Sequence, residues 1–311
     1  MWPSDSNGII RRSTALNVGI SDLEIKRALR RREITILDRG RYVQTQQLPA
    51  PDELGPDQFE AERYRLKVLA AADDGVDELI VSHESAAAVH GMPTLNTDHR
   101  FVHFATSRAA SGRKLRSRHV HPGLPPNSTT LVGSVLVTTL ARTAVDIAAC
   151  SDFPRGLAAC DSALRMGVAV EELEAEAGKR RMRGAANVRA AIRYADGRAA
   201  NPGESWSRAL MIQAGFPIPD LQTHFRLLNG NDAFADFSWN RKLAGEYDGK
   251  RKYIRDLLPG EDAGSAVYRE KQREIELRRV NVGVVRWITQ DLRDGSMLVR
   301  VGEALKDERL L

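Results

Sequence analysis

The chain has 311 residues, 42% of them hydrophobic, with a formal net charge of +5 and a pI of about 9.3. That length suits two or three domains with real cores. No apolar run reaches the roughly 20 residues of a bilayer-spanning helix, and the start, MWPSDSNGII, lacks the basic-then-apolar order of a secretory leader, so a cytoplasmic protein with no membrane role is expected. The mildly basic balance is compatible with nucleic acid as partner. Cys150 and Cys160 lie in Ala- and Leu-rich helical text and read as reduced core residues rather than a disulfide or a zinc site.

Punctuation divides the chain into three segments. The proline-rich run LPAPDELGPD (48–57) reads as a linker, and AANPGES (199–205) as a second junction. The expected domains are 1–48, 49–198 and 199–311, and the fold class is mixed α/β.

In the first segment Ile9 to Leu16 reads as a short helical stretch and Asn17 to Gly19 as a turn. Ser21-Asp22-Leu23-Glu24 reads as a helix start, with Ser21 as N-cap and Glu24 at the capping-box position. Leu23, Ile25, Ala28, Leu29 and Arg32 fall on or near one stripe of that helix, and Lys26, Arg27, Arg30 and Arg31 crowd the other side. Strands ITIL (34–37) and RYVQ (41–44) follow, joined by Asp38-Arg39-Gly40, where Gly40 suits positive φ in a tight hairpin. Helix, turn, basic helix and basic hairpin is the order of a winged helix-turn-helix. Lys26, Arg27, Arg30 and Arg31 would meet double-stranded DNA in the major groove, with Arg39 and Arg41 on the wing reaching its backbone. The competing reading makes the arginine run a solvated helix face.

The second segment reads as mixed α+β. Strands are expected at 78–81, 101–106, 116–122 and 135–140, and helices at 84–90, 141–150, 154–166, 170–179 and 185–195. His83, His90, His103, His119 and His121 match no metal spacing and read as structural residues.

The texts GIIRRSTALNVGISDLEIKRALRRREITILDRGRYV, VSHESAAAVHGMP and VLVTTLARTAVDIA resemble the AbiEi-type antitoxin and regulator proteins of bacteria. The likeness covers about the first half of the chain. It implies an N-terminal winged helix that binds DNA, and a partner or promoter role in a type IV toxin–antitoxin pair, with a cognate toxin or a second copy of the chain as protein partner.

The third segment reads as helix 204–216, strands at 221–228, 234–239 and 242–250, helix 265–280, strand 282–289 and a terminal helix. On FADFSW, Ala235, Phe237 and Trp239 share one face, and Asp236 and Ser238 the other. On KLAGEYDGK, Glu246, Asp248 and Lys250 share a face. A hairpin about Asn240 to Lys242 sets Asp236 opposite Glu246. Opposed carboxylates weaken a sheet by up to about 1 kcal/mol, a conflict that Mg²⁺ would relieve. Oxygen ligands on neighbouring strands frame metal-assisted phosphodiester cleavage, with Lys250 steadying phosphate charge. The competing reading leaves the acids on a solvent-facing sheet paired with Lys242 or Lys250, and Glu204 as an acid favoured in a first helical turn.

The texts ESWSR, ADFSW, GEYDGK and YREKQREIELRRVNVGVVRWITQDL resemble the PD-(D/E)XK nuclease superfamily, its very-short-patch-repair-like branch in particular. The resemblance implies a restriction-endonuclease-like α/β domain. Asp236 and Glu246 match the two motif acids, and Glu204 an acid that completes the metal shell. Asp248 stands where the strict motif has lysine, which here comes later as Lys250. The implied function is Mg²⁺-dependent hydrolysis of DNA in defence or repair. The alternative is an AbiEi-like antitoxin or repressor whose last domain is catalytically silent.

Overall fold

Ser21 accepts the Glu24 amide on its side chain, while the Glu24 carboxylate accepts the Ser21 amide at 2.7 Å, so the capping box starts helix α2 (Asp22–Arg30) where the sequence places it. The computed structural model describes residues 1–49, 56–72, 79–107, 112–179, 181–249 and 263–311. These form a mixed α/β chain of two compact units, 1–147 with 175–181, and 148–174 with 182–311.

The stretch expected as helix from Ile9 divides in two. Ile9–Arg11 is strand β1, and helix α1 (Arg12–Asn17) follows. Ile9 and Ile10 are β-branched and fully buried, and they pair with Val43 and Tyr42. Strands β2 (Ile34–Asp38) and β3 (Arg41–Gln44) close the hairpin, with Gly40 at φ +71° and sheet order β1-β3-β2. Ile25 and Ala28 of α2 pack against Ile10, Ala15, Ile34 and Tyr42. Leu23, expected on that stripe, is exposed. It lies about 200° around the helix from Ile25, so one helix face cannot hold both.

Beyond the proline-rich run, helix α3 (Pro56–Ala72) carries Tyr64, Leu66, Val68 and Leu69 into the main core of this unit, with Val43, Val81, Phe104 and Val137. Tyr64 Oη lies 2.7 Å from Ser85 Oγ and donates to the Phe101 carbonyl. The core lines a six-stranded sheet built from β4 (Ile80–Val81), β5 (Val102–Thr106), β6 (Arg113–Leu115), β7 (Arg118–Pro122), β8 (Thr129–Val132) and β9 (Val135–Thr138), in the order β6-β7-β5-β4-β9-β8. Helix α4 (His83–His90) follows β4 and ends at Gly91, whose φ of +70° gives a left-handed cap.

Helix α5 (Leu140–Cys150) leads to α6 (Phe153–Arg165), α7 (Val170–Gly178) and α8 (Ala185–Tyr194). Cys160 is buried as expected, but Cys150, at the last turn of α5, is exposed. In the second unit α6 is tied to α9 (Pro202–Gln213) by a buried ion pair between Asp161 and Arg208 at 2.9 Å. The sheet there has β10 (Asp220–Arg226), β11 (Asp232–Trp239), β12 (Leu243–Asp248) and β13 (Gly283–Ile288) in sequence order. The first three are antiparallel. β13 is parallel to β12 and is reached through helix α10 (Ala263–Arg279), a β-α-β crossover. Leu277 of α10 packs with Ala235 and Ala244. Met211 of α9 packs with Phe237, Leu243 and Trp287, joined by Leu292 of α11 (Thr289–Asp294) and by Val301 and Leu305 of α12 (Ser296–Asp307).

Candidate functional site

The chemistry-bearing residues fall into three places. The first is the outer face of α2. Burying Ile25 and Ala28 turns Lys26, Arg27 and Arg30 to solvent, and Arg31 at the C-cap is exposed with them. Asp22 does not neutralise this face, because both its oxygens take the guanidinium of Arg12. On the hairpin Arg39 is exposed, whereas Arg41 is half-buried with Nη1 3.6 Å from Asp38. Five of the six residues expected at DNA are therefore exposed, Arg31 with Nη1 3.7 Å from Glu33, and Arg41 is half-buried against its own hairpin.

The second place is the acidic cluster on β11 and β12. Phe237 pairs with Gly245, Ser238 with Ala244 and Trp239 with Leu243. One step further along the same ladder stand Asp236 and Glu246. There the Asp236 carboxylate itself accepts the Tyr247 amide at 2.9 Å. Glu246 is fully buried rather than solvent-facing, because α10 and β13 cover that end of the sheet. Arg273 of α10 donates to Glu246 Oε1, and Arg286, its neighbour on β13, lies 2.8 Å from Oε2. Arg286 also reaches Asp248 at 3.9 Å and Glu274 at 3.8 Å. Glu204 is buried in the first turn of α9, where its oxygens accept the Ala200 amide and the Asn201 side chain at 2.7 Å and the Gln222 side chain at 3.2 Å. Lys250 lies outside the described residues. Lys271 is exposed, and Glu274 pairs with Arg278 at 2.7 Å.

Mg²⁺ takes oxygen ligands at about 2.0–2.1 Å in an octahedral array. In this arrangement Glu246 faces two guanidinium groups, Asp236 holds a backbone amide and Glu204 caps its own helix. That donor set does not fit the ion unless Arg273 and Arg286 move. Neither arginine stands out in the sequence as a partner of Glu246. The parallel pairing of β12 with β13, which sets Arg286 beside Glu246, depends on a crossover whose register no local pattern reveals.

The third place is a histidine cluster. His103 on β5 pairs with His119 on the parallel strand β7, and Ala105 pairs with His121. Partners in a parallel ladder share a face, so His103, His119 and His121 point to one side. Helix α4 delivers His83 to that side. His103 Nδ1 lies 3.0 Å from His121 Nε2, and the His121 ring stacks at 3.7 Å on His83 and meets His119 tilted, at 3.9 Å. Burial first, and then the neighbouring rings, push His121 down to about 2. Burial also lowers His103, against the pull of Glu84, and His119, so these rings are neutral near pH 7. His90 stands apart, with Nε2 2.7 Å from the Thr138 carbonyl.

Residues 79–192 match the family model of the AbiEi antitoxin C-terminal domain. The chain is also 34% identical over 185 residues to two proteins of Mycobacterium tuberculosis, uncharacterized protein MT2308 of strain CDC 1551 and uncharacterized protein Rv2248 of strain H37Rv. Each match covers 58% of this chain and 65% of the relative, so the chain spans less than two thirds of the length of these relatives.

Proposed function

We propose that the chain is a DNA-binding regulator of the AbiEi antitoxin type, acting on double-stranded DNA and paired with a cognate toxin. The match of residues 79–192 to the AbiEi antitoxin C-terminal domain carries this reading. The N-terminal elements support it. A capped helix presents Lys26, Arg27, Arg30 and Arg31 on one open face, beside a hairpin bearing Arg39. A helix of this width enters the major groove, and cationic side chains on it displace the counterions of the phosphates. On this reading the acids of β11 and β12 form an ion-pair cluster that fastens α10 and β13 to the sheet. The test is a reporter gene placed behind the DNA upstream of this protein's own gene. Wild-type chain lowers its expression and an Arg30→Ala/Arg31→Ala variant does not. Equal expression with both proteins would reject the reading.

A second reading keeps the nuclease. It is favoured by the juxtaposition of Asp236 and Glu246 on neighbouring strands, followed by a β-α-β crossover. It requires Arg273 and Arg286 to leave Glu246 so that Asp236, Glu246, Asp248 and Glu204 can hold Mg²⁺. Nicking of supercoiled plasmid with Mg²⁺, lost in Asp236→Ala, supports it; equal plasmid integrity with both proteins removes it.

A further inference from the structure

The histidine cluster is built like a metal site rather than like a polar patch. Three elements converge there: β5, β7 and the first residue of α4. One ligand nitrogen from each of His83, His103 and His121 lies within 4.8 Å of the other two. Nitrogens around a tetrahedral Zn²⁺ at about 2.0–2.1 Å stand roughly 3.3 Å apart. His103 Nδ1 and His121 Nε2, at 3.0 Å, stand close to that spacing, and a movement of the His83 ring toward them completes the set.

Two of the remaining ring nitrogens face polar side chains. His83 Nδ1 lies 3.0 Å from Ser82 Oγ, which leaves Nε2 as its ligand atom. His103 Nε2 lies 3.9 Å from the Glu84 carboxylate. A ligand histidine whose other nitrogen faces a carboxylate is fixed in tautomer and orientation. Ser85 Oγ accepts the His103 amide at 2.8 Å and steadies the strand beside α4. His83 sits at φ +51°, a conformation uncommon for a side-chain-bearing residue, which aims its ring back over the sheet. Opposite His121 the ladder places Ala105, a small side chain that leaves the ring face of His121 to the other histidines.

We infer that His83, His103 and His121 bind a divalent transition metal, with Zn²⁺ as the ion that a three-imidazole set suits. The fourth position belongs to water or to His119, whose ring stands 5.4 Å from that of His103. When the ion binds, the hydrogen shared by His103 and His121 gives way to it. His103 then carries its hydrogen on Nε2, toward Glu84. The site is independent of the proposed regulatory role.

The test uses the full chain without a histidine tag, stripped with chelator and titrated with ZnCl₂ by calorimetry. The expected result is one Zn²⁺ per chain, together with a rise in unfolding temperature. His103→Asn and His121→Asn each weaken binding about 100-fold or more, and Glu84→Gln weakens it about 10–100-fold. His90→Gln, outside the cluster, leaves it unchanged. Co²⁺ supplies a second readout on the unmodified chain, a visible spectrum of tetrahedral nitrogen ligation that Zn²⁺ abolishes. Absence of saturable binding to the unmodified chain, or unchanged affinity in His103→Asn and His121→Asn, would overturn the inference.

Discussion

Arg286 lies beside Glu246 across the parallel strands β12 and β13, Nη2 2.8 Å from Oε2, and the glutamate is shut away from solvent. Arg273 from α10 meets the other oxygen. A buried carboxylate is tolerated only when compensated, and here the compensation comes from two guanidinium groups of the protein itself. The contact also decides how the last segment holds together, because Arg273 belongs to the crossover helix and Arg286 to the strand it leads to.

Removing one partner of such a cluster leaves charge buried without compensation. Arg286→Ala is expected to destabilise the chain by about 3 kcal/mol, the lower end of the range for broken buried pairs because Arg273 remains. The triple variant Arg273→Leu/Arg286→Leu/Glu246→Leu, which removes the glutamate with both of its guanidinium partners, recovers most of that loss. Urea unfolding measures both, and a loss under about 1 kcal/mol in Arg286→Ala would count against a structural role for the pair.

The Asp161–Arg208 pair gives an independent comparison. Both side chains are almost wholly buried, whereas Arg198 and Asp196 pair at 2.7 Å near the surface. Arg208→Met is expected to cost about 3–5 kcal/mol and Arg198→Met under about 1 kcal/mol. Equal losses in chemical unfolding would contradict the burial argument.

Gly203 illustrates a sequence position decided by a distant side chain. It lies in the first turn of α9, where alanine is ordinarily worth up to about 1 kcal/mol more than glycine. A Cβ there would stand 2.2 Å from the Tyr247 ring. Gly203→Ala is therefore expected to lower the unfolding temperature, whereas Gly203→Ala with Tyr247→Leu is expected to recover part of the loss. A higher unfolding temperature in the single variant would refute the close approach.

The metal-free chain should lose stability in mild acid. His121 is held at about 2 in the fold by burial and by His83, His103 and His119, with Asp146 pulling weakly the other way. In the unfolded chain it titrates near its ordinary value of about 6.5. The unfolded state therefore binds more protons between these values, so stability is full above about pH 6.5 and declines as pH falls below it. His121→Asn should flatten that decline in unfolding free energy measured from pH 7 to 5; an unchanged slope would place the acid sensitivity elsewhere.

Local signals carry far in this sequence. Ser21 and Glu24 mark the start of α2, Gly40 marks the hairpin, and alternation on FADFSW separates Phe237 and Trp239 from Asp236 and Ser238 as the strand does. Two of the three texts quoted for the AbiEi likeness, VSHESAAAVHGMP and VLVTTLARTAVDIA, fall within the matched region at 79–192. What local text conceals is non-local pairing. His119 and His121 read as ordinary alternation on a strand, and only the parallel ladder of β5 with β7, together with the start of α4, brings His103 and His83 to them. Arg286 is likewise one arginine in an apolar strand until the crossover sets it against Glu246. The same limit explains β1, whose Ile9 and Ile10 fit a helix or a strand until β3 pairs with them.

The regulatory reading stands or falls most directly on the salt dependence of DNA binding. Anisotropy of a labelled duplex from upstream of the protein's own gene, titrated at several salt concentrations, gives affinity and slope together. Tighter binding to that duplex than to a scrambled one is expected. The log–log salt slope should shrink by about 2 in Arg30→Ala/Arg31→Ala, roughly 0.9 for each phosphate that the variant no longer neutralises. Equal affinity for both duplexes, or the same slope in the double variant as in the wild-type chain, would rule the reading out.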